Sequence, residues 1–258
     1  MLDKIKSYSI WDAHGHMGCY KLFNNPGSDA ASILKIMDLC GIERVCVSHL
    51  AALEADVTFG NDMVAQAIVQ SEGRIMGYAA VNPFEKELVI PELTRCFDRL
   101  NFSAIKLHAS LIDCPADSQL YEPVYAFAHK RRLAVMAHNF PDINKMEKIC
   151  DKYCDAFFIQ AHYGSAWDGA SEPECFTLAK NAPNFYVDCA GSKVLTGVIE
   201  KTVDAIGPEK LIFGTDFTFL DPRHQLGYVV FSKINEEHKR MILRENFKRI
   251  LSFKKAGA

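Results

Sequence analysis

Apolar residues along this chain gather in short, nearly unbroken runs, each closing on a polar side chain or a turn signal. SYSIWDAH (7–14), RVCVSHL (44–50), RIMGYAAVN (74–82), FSAIKLH (102–108), LAVMAH (133–138), AFFIQAH (156–162), NFYVDCA (184–190) and KLIFGTD (210–216) have the lengths and residue types of strands. Their interiors are almost continuously apolar, as expected of parallel strands covered on both faces. They begin about 25 to 35 residues apart, which leaves room for one strand and one helix each.

The intervening segments carry the helical period. DAASILKIMDLCG places Ile33, Ile36, Met37 and Cys40 on one face, with Gly41 as a stop. SQLYEPVYAFAHK repeats that spacing with Leu120, Val124 and Phe127, and its Pro123 suits an early turn. EEHKRMILRENFKRILSF reads as one closing amphipathic helix. No Gly/Ser linker or change of composition interrupts the beat. The pattern therefore predicts an α/β chain folded as one (β/α)8 TIM barrel over residues 1–258.

Composition narrows the function classes. At 258 residues, 49% hydrophobic and 24% charged, the chain is ordinary for a globular protein. A net charge of -3 gives no basic field for nucleic acid and no polybasic patch for a membrane. The opening MLDKIKSYSI lacks the apolar core of a signal peptide, and no run approaches the roughly 20 residues of a membrane span. A cytoplasmic protein acting on a small molecule is the expectation. Barrels of this size often pair through their outer helices, so a homo-oligomer is compatible with it. The nine cysteines are scattered through apolar segments and read as reduced thiols; Cys19 and Cys189 follow strand ends.

Chemistry collects where the runs end. The first delivers His14 and His16, close to Asp12. The fourth delivers Lys106 and His108, the fifth His138, the sixth His162 and the eighth Asp216. Residues two apart on a strand share a face, so His14 with His16, and Lys106 with His108, can both face the barrel axis. The C-terminal mouth of such a barrel is where chemistry is built from several strands. Imidazoles and a carboxylate suit a divalent metal, and a catalytic zinc leaves one position to water. His14, His16, His138 and Asp216 make such an open site. Any one of these histidines taken alone is as well explained by a core side chain bonded to a carbonyl. The set in phase with the repeat is not.

Lys106 has three readings: a contact for a substrate carboxylate, a partner of Asp216, or a metal-bridging carbamate. His108 is either inward-facing structure or a substrate contact. His129 and His238 fall on helices, and His49 reaches the mouth only if the second strand ends there. Tyr163, Trp167, Phe217 and Phe219 suggest a partly aromatic rim. Arg223 and His224 could capture a carboxylate or phosphate, although Arg223 could equally tie its loop to Asp221. Asp188 and Asn82 close strands without an evident role.

The stretches WDAHGH, AIKLHAS, VMAHNF, IQAHYGSAW and FGTDFTFLDPR, closed by ENFKRIL, resemble the amidohydrolase-related family. That branch of the amidohydrolase superfamily holds lactonases and metal-dependent decarboxylases. The resemblance runs in order from residue 9 to about 252. It implies that His14 and His16 are first-strand ligands, His138 the fifth-strand ligand and Asp216 the eighth-strand acid. His162 then matches a sixth-strand histidine that lies near the metal and acts on substrate or water. Two features depart: Asn139 follows His138 where many relatives carry threonine or serine, and the chain is shorter than typical decarboxylases of the branch, which implies modest lid insertions. Two-metal relatives bridge their ions with a carbamylated strand-four lysine, but the GTDF and DPR stretches fit the one-metal branch better.

The resemblance implies hydrolysis of an amide, lactone or ester-like bond in a small, anionic substrate by a zinc-activated water. Asp216 would carry the proton and His162 would polarise the scissile carbonyl. Non-oxidative decarboxylation in the same site is the alternative. A scaffold that keeps the barrel without catalysis is a third reading, which the complete ligand set opposes.

Overall fold

The computed structural model describes residues 2–20, 25–164, 172–191 and 195–255. Among these, eight parallel strands form one sheet in the order β1 to β8. They are β1 (Ile10–Met17), β2 (Ile42–His49), β3 (Ile75–Ala79), β4 (Ala104–Leu107), β5 (Ala134–Ala137), β6 (Phe157–Gln160), β7 (Phe185–Asp188) and β8 (Leu211–Ile212). Helices lie between them, which gives the (β/α)8 barrel. The ring closes between β8 and β1 through single backbone bonds: Ala13 N to Phe213 O at 2.9 Å, Asp216 N to His14 O at 2.9 Å, and His16 N to Phe217 O.

Each strand sends alternate residues inward. Trp11, Ala13, Cys46, Met76, Tyr78, Ala104, Ala134, Met136, Ile159, Tyr186 and Ile212 form a buried cluster of their own. Phe247 and Ile250 of the last helix join that cluster. The same two-residue step carries the inward face from apolar residues to polar ones: Ala104 to Lys106 to His108, Met136 to His138, Tyr186 to Asp188. The apolar layers fill the barrel, and the next positions along each strand are left for chemistry.

Every strand is shifted or trimmed at its ends relative to the sequence pattern, and β1 and β8 differ in ways that shape the site. β1 starts at Ile10 rather than at residue 7, and it runs through His14 and His16 instead of ending on them. Against β2 its register slips between Asp12 and Gly15, where three steps of β1 face two of β2. Such a bulge bends a strand and re-aims its side chains. β8 keeps only two ladder residues, because the chain from Phe213 onward bonds across to β1 and to the closing helix.

That closing helix is not uniform. Glu236–Arg240 and Asn246–Ser252 are α-helical, and Met241–Glu245 between them is a π-turn. A π-turn displaces the helical hydrogen bonds by one residue and can leave a carbonyl for another donor. Here Ile242 O accepts from Phe213 N at 3.0 Å, and Asn246 Nδ2 donates to Leu211 O at 2.8 Å. The sequence period had no means of showing this tie to β8.

The first crossover helix behaves as the pattern predicts. Ala30–Cys40 is capped by the Asp29 side chain, which accepts from Ser32 N, and stops at Gly41 with φ 71°. Helix Val57–Gln70 depends on a close approach. A β-carbon on Gly60 would stand 2.7 Å from Ala52 Cα and overlap the Ala52 amide. Alanine favours a helix by about 1 kcal/mol over glycine, but overpacking costs about 1–3 kcal/mol. Gly60→Ala is therefore expected to lower the thermal unfolding midpoint by several degrees, and an unchanged or higher midpoint would show that the contact gives way.

Candidate metal centre

Asp12 and Asp188 hold the first histidine in place. Asp12 Oδ1 accepts from His14 N at 3.0 Å and Thr215 N at 3.1 Å, so one carboxylate joins β1 to the segment after β8. Burial pushes the Asp12 carboxyl up to about 7, against the bonds from Thr215 and His14 that lower it. Asp188, at the end of β7, meets His14 Nδ1 at 2.6 Å through Oδ2. Its Oδ1 accepts from His162 N at 2.8 Å and Ala190 N at 3.0 Å. Gly214 makes room for this arrangement, since a β-carbon there would stand 2.8 Å from His14 Cβ.

Around this frame the candidate ligands converge. His14, His162 and Asp216 each offer a ligand atom, and these atoms lie within 4.8 Å of one another. Asp216 Oδ1 stands 3.2 Å from His16 Nε2 and 3.5 Å from His14 Nε2. His138 is joined through His162, Nδ1 to Nε2 at 3.2 Å. His108 stacks on His138 with ring centroids 4.2 Å apart. Lys106 Nζ lies 2.8 Å from His14 Nε2, and Ser48 Oγ lies 3.3 Å from His16 Nδ1. That trio contains His162, the sixth-strand residue, and His138 meets it through the His162 ring.

The electrostatics suit a cation. Burial, then the Lys106 charge, lowers His14 to about 4, and burial with the His162 charge lowers His138 to about 2. His16 and His108 are lowered too, first by burial. Burial alone would raise Asp216. The hydrogen bond from His16 and the facing histidines more than reverse that, and hold it well below the carboxylate range. Neutral imidazoles and an ionised carboxylate in one buried volume are the protonation states that metal ligation requires. The donor set fits a divalent ion.

Two of these residues sit in strained backbone. His162 has φ 60° and Asp216 φ 63°, in the left-handed region that few non-glycine residues occupy. Asp188 pins the His162 amide, while Asp216 N bonds His14 O and Asp216 O accepts from Phe219 N at 3.0 Å. Such conformations persist only where the surroundings fix them, and they cluster at functional sites.

The remaining sequence candidates take other places. Arg223 is not among these residues: its guanidinium grips Asp221, two-thirds exposed, beside a groove shared with helix Ala30–Cys40. Short-range capping explains this, because Asp221 also caps the following helix. His224 stacks edge-on against Tyr228. Tyr163 and Phe217 belong to the core rather than to a rim, whereas Phe219 stacks on His16 at 4.7 Å. Trp167 lies outside the described residues. β2 does end on His49, which lines a pocket of about 430 Å³ beside Gly18 and Tyr20. Cys19 is exposed and Cys189 buried. Asn82 caps its own turn through Phe84 N. Ser48 and Thr215 carried no sequence signal. Asp188 carried one, the same strand-end position as the histidines.

A family described as amidohydrolase matches residues 11–253. No curated protein matches the chain. Among solved structures it is similar to a 2,6-dihydroxybenzoate decarboxylase complexed with 2,6-dihydroxybenzoate, at 16% identity and TM-score 0.75 over 95% of this chain and 99% of the other. A dihydroxybenzoic acid decarboxylase from a Polaromonas species, with bound manganese and 2-nitroresorcinol, is similar at 17% identity and TM-score 0.72, over 96% and 98%. So is a 5-carboxyvanillate decarboxylase from Novosphingobium aromaticivorans, complexed with manganese and a nitrobenzoic acid, at 11% and 0.79, over 96% and 97%. At these identities the likeness shows the fold. Among the described residues no helix is long and apolar enough to cross a membrane.

Proposed function

This chain belongs to the amidohydrolase family, and on that premise we propose that it is a divalent-metal-dependent decarboxylase of a small aromatic carboxylic acid. The observation that carries the choice of reaction is end-to-end similarity to decarboxylases of hydroxylated benzoates. The site supports it with an aromatic wall, Phe219 against His16, next to the converging ligands. Decarboxylation, second on sequence alone, moves ahead of hydrolysis.

His14, His16, His138 and Asp216 would hold one ion, with His162 beside it. Zinc suits the nitrogen-rich donor set, and manganese is the ion in two of the similar structures. When bound, the ion supplies a Lewis acid that fixes the oxygens of an anionic substrate. Lys106 adds a cation next to His14 and favours the same anion. The bond between ring carbon and carboxylate breaks, its electron pair stays on the ring, and carbon dioxide leaves. His162 delivers the proton that the ring carbon takes up. Asp216, held ionised beside it, accepts a proton from solvent and passes it to His162 for the next turnover.

Hydrolysis would use the same ionised Asp216, as the group that takes the proton of the attacking water. Product analysis separates the two. Protein loaded with zinc or manganese and given hydroxybenzoates in D2O enriched with 18O should release carbon dioxide and place one deuteron on the ring carbon. Cleavage of ester, lactone or amide substrates instead, with 18O in the organic acid, would replace this reading with the hydrolytic one.

A further inference from the structure

Asp188 is a fully buried carboxylate with its acceptor positions turned on two other residues of the site. Oδ2 meets His14 Nδ1 at 2.6 Å, while Oδ1 takes the backbone N–H of His162 and of Ala190 at 2.8 and 3.0 Å. Burying an ionised carboxylate is expensive, and hydrophobic packing would fill the same space at less cost. The arrangement does two things that packing would not.

The first concerns the tautomer of His14. An ionised carboxylate only accepts, so Nδ1 must carry the hydrogen and Nε2 keeps its lone pair. Nε2 is the edge that faces Lys106 Nζ at 2.8 Å and Asp216 at 3.5 Å. The second concerns His162. Its left-handed backbone is anchored by the bond from its N–H to Asp188, and its ring lies against Gly191, where a β-carbon would stand 3.3 Å from His162 Nδ1.

The geometry points to Asp188 as the positioning residue of the metal centre: one carboxylate that fixes His14 in its ligating tautomer and seats the backbone of His162, so that ligand and proton donor are set together. This rests on the metal-centre reading above. Carboxylates that orient a ligating imidazole in this way are worth roughly 10–100-fold in metal affinity.

Asp188→Asn separates positioning from mere structure. The two backbone N–H groups require the amide oxygen, so the asparagine must keep Oδ1 on them and turn its NH2 toward His14. His14 Nδ1 then becomes the acceptor, and the hydrogen moves to Nε2, the edge that should bind metal. The backbone of His162 keeps its bond. The expected result is a fall of about 10–100-fold in zinc or manganese affinity by chelator competition, with the metal-free unfolding midpoint within a few degrees of the parent. Long-range 1H–15N spectra of the metal-free proteins should show hydrogen on Nδ1 of His14 in the parent and on Nε2 in the variant. Unchanged metal affinity, or hydrogen on Nε2 in the parent, would overturn the assignment. If the variant does not fold, the parent spectrum still decides it. Should the parent bind neither ion, the metal-centre reading fails, and the tautomer of His14 continues to report on Asp188.

Discussion

Asp216→Asn is expected to cut kcat by about 10²–10⁴-fold, the span of a lost proton-transfer group, while the protein stays folded. Asparagine has nearly the shape of aspartate and is among the residues that tolerate φ near 63°. The backbone of the corner does not depend on the side chain, since Asp216 N bonds His14 O and Asp216 O accepts from Phe219 N and Leu220 N. What disappears is the negative charge facing His14, His16 and His162. An amide can still offer oxygen to an ion, so metal content should fall less than turnover does. Steady-state kinetics, elemental analysis and circular dichroism on the same preparation check the three parts. Turnover within a few-fold of the parent would remove Asp216 from proton handling, in decarboxylation and hydrolysis alike.

Most of the barrel was legible because its signals are local. Each strand is a run of apolar residues, several helix starts have a capping side chain, Asp29, Asp56 and Asp142 among them, and Gly41 stops its helix where the spacing requires. The convergence of His14, His16, His138, His162 and Asp216 was legible too, since a parallel barrel brings the same end of every strand to one mouth. What escaped depends on contacts distant in sequence. The short β8 and the π-turn at Met241–Glu245 meet through the bond from Phe213 N to Ile242 O. The β1 bulge is a matter of register against β2, which no single strand encodes. For Arg223 the sequence offered two partners, a substrate anion or Asp221, and in the structure its guanidinium bonds the one two residues away, Asp221. Asp188 lies between. Its position marked it, but its role needed the 2.6 Å approach to His14, across 174 residues of chain.

Removing the divalent ion with a chelator is expected to abolish turnover, and adding back zinc or manganese to restore it, with one ion per chain by elemental analysis. The protein should also lose stability. A ligand that binds only the folded state adds about 2.7 kcal/mol at a hundred times its Kd, so the holoprotein should unfold several degrees higher. The pH at which the ion is lost tests the electrostatics directly. Protons compete with metal for each imidazole, and they compete only near and below that group's own pKa. Burial lowers His14 to about 4 and His138 to about 2, while Asp216 is held well below the carboxylate range. As pH falls, proton competition at His14 should therefore begin near 4 rather than at the 6.5 of an ordinary imidazole. Metal retained through pH 5 after gel filtration, and lost toward pH 4, is the expected profile. Release centred near 6.5 would mean that the histidines are hydrated and apart, and two ions per chain would return Lys106 to the role of a bridge.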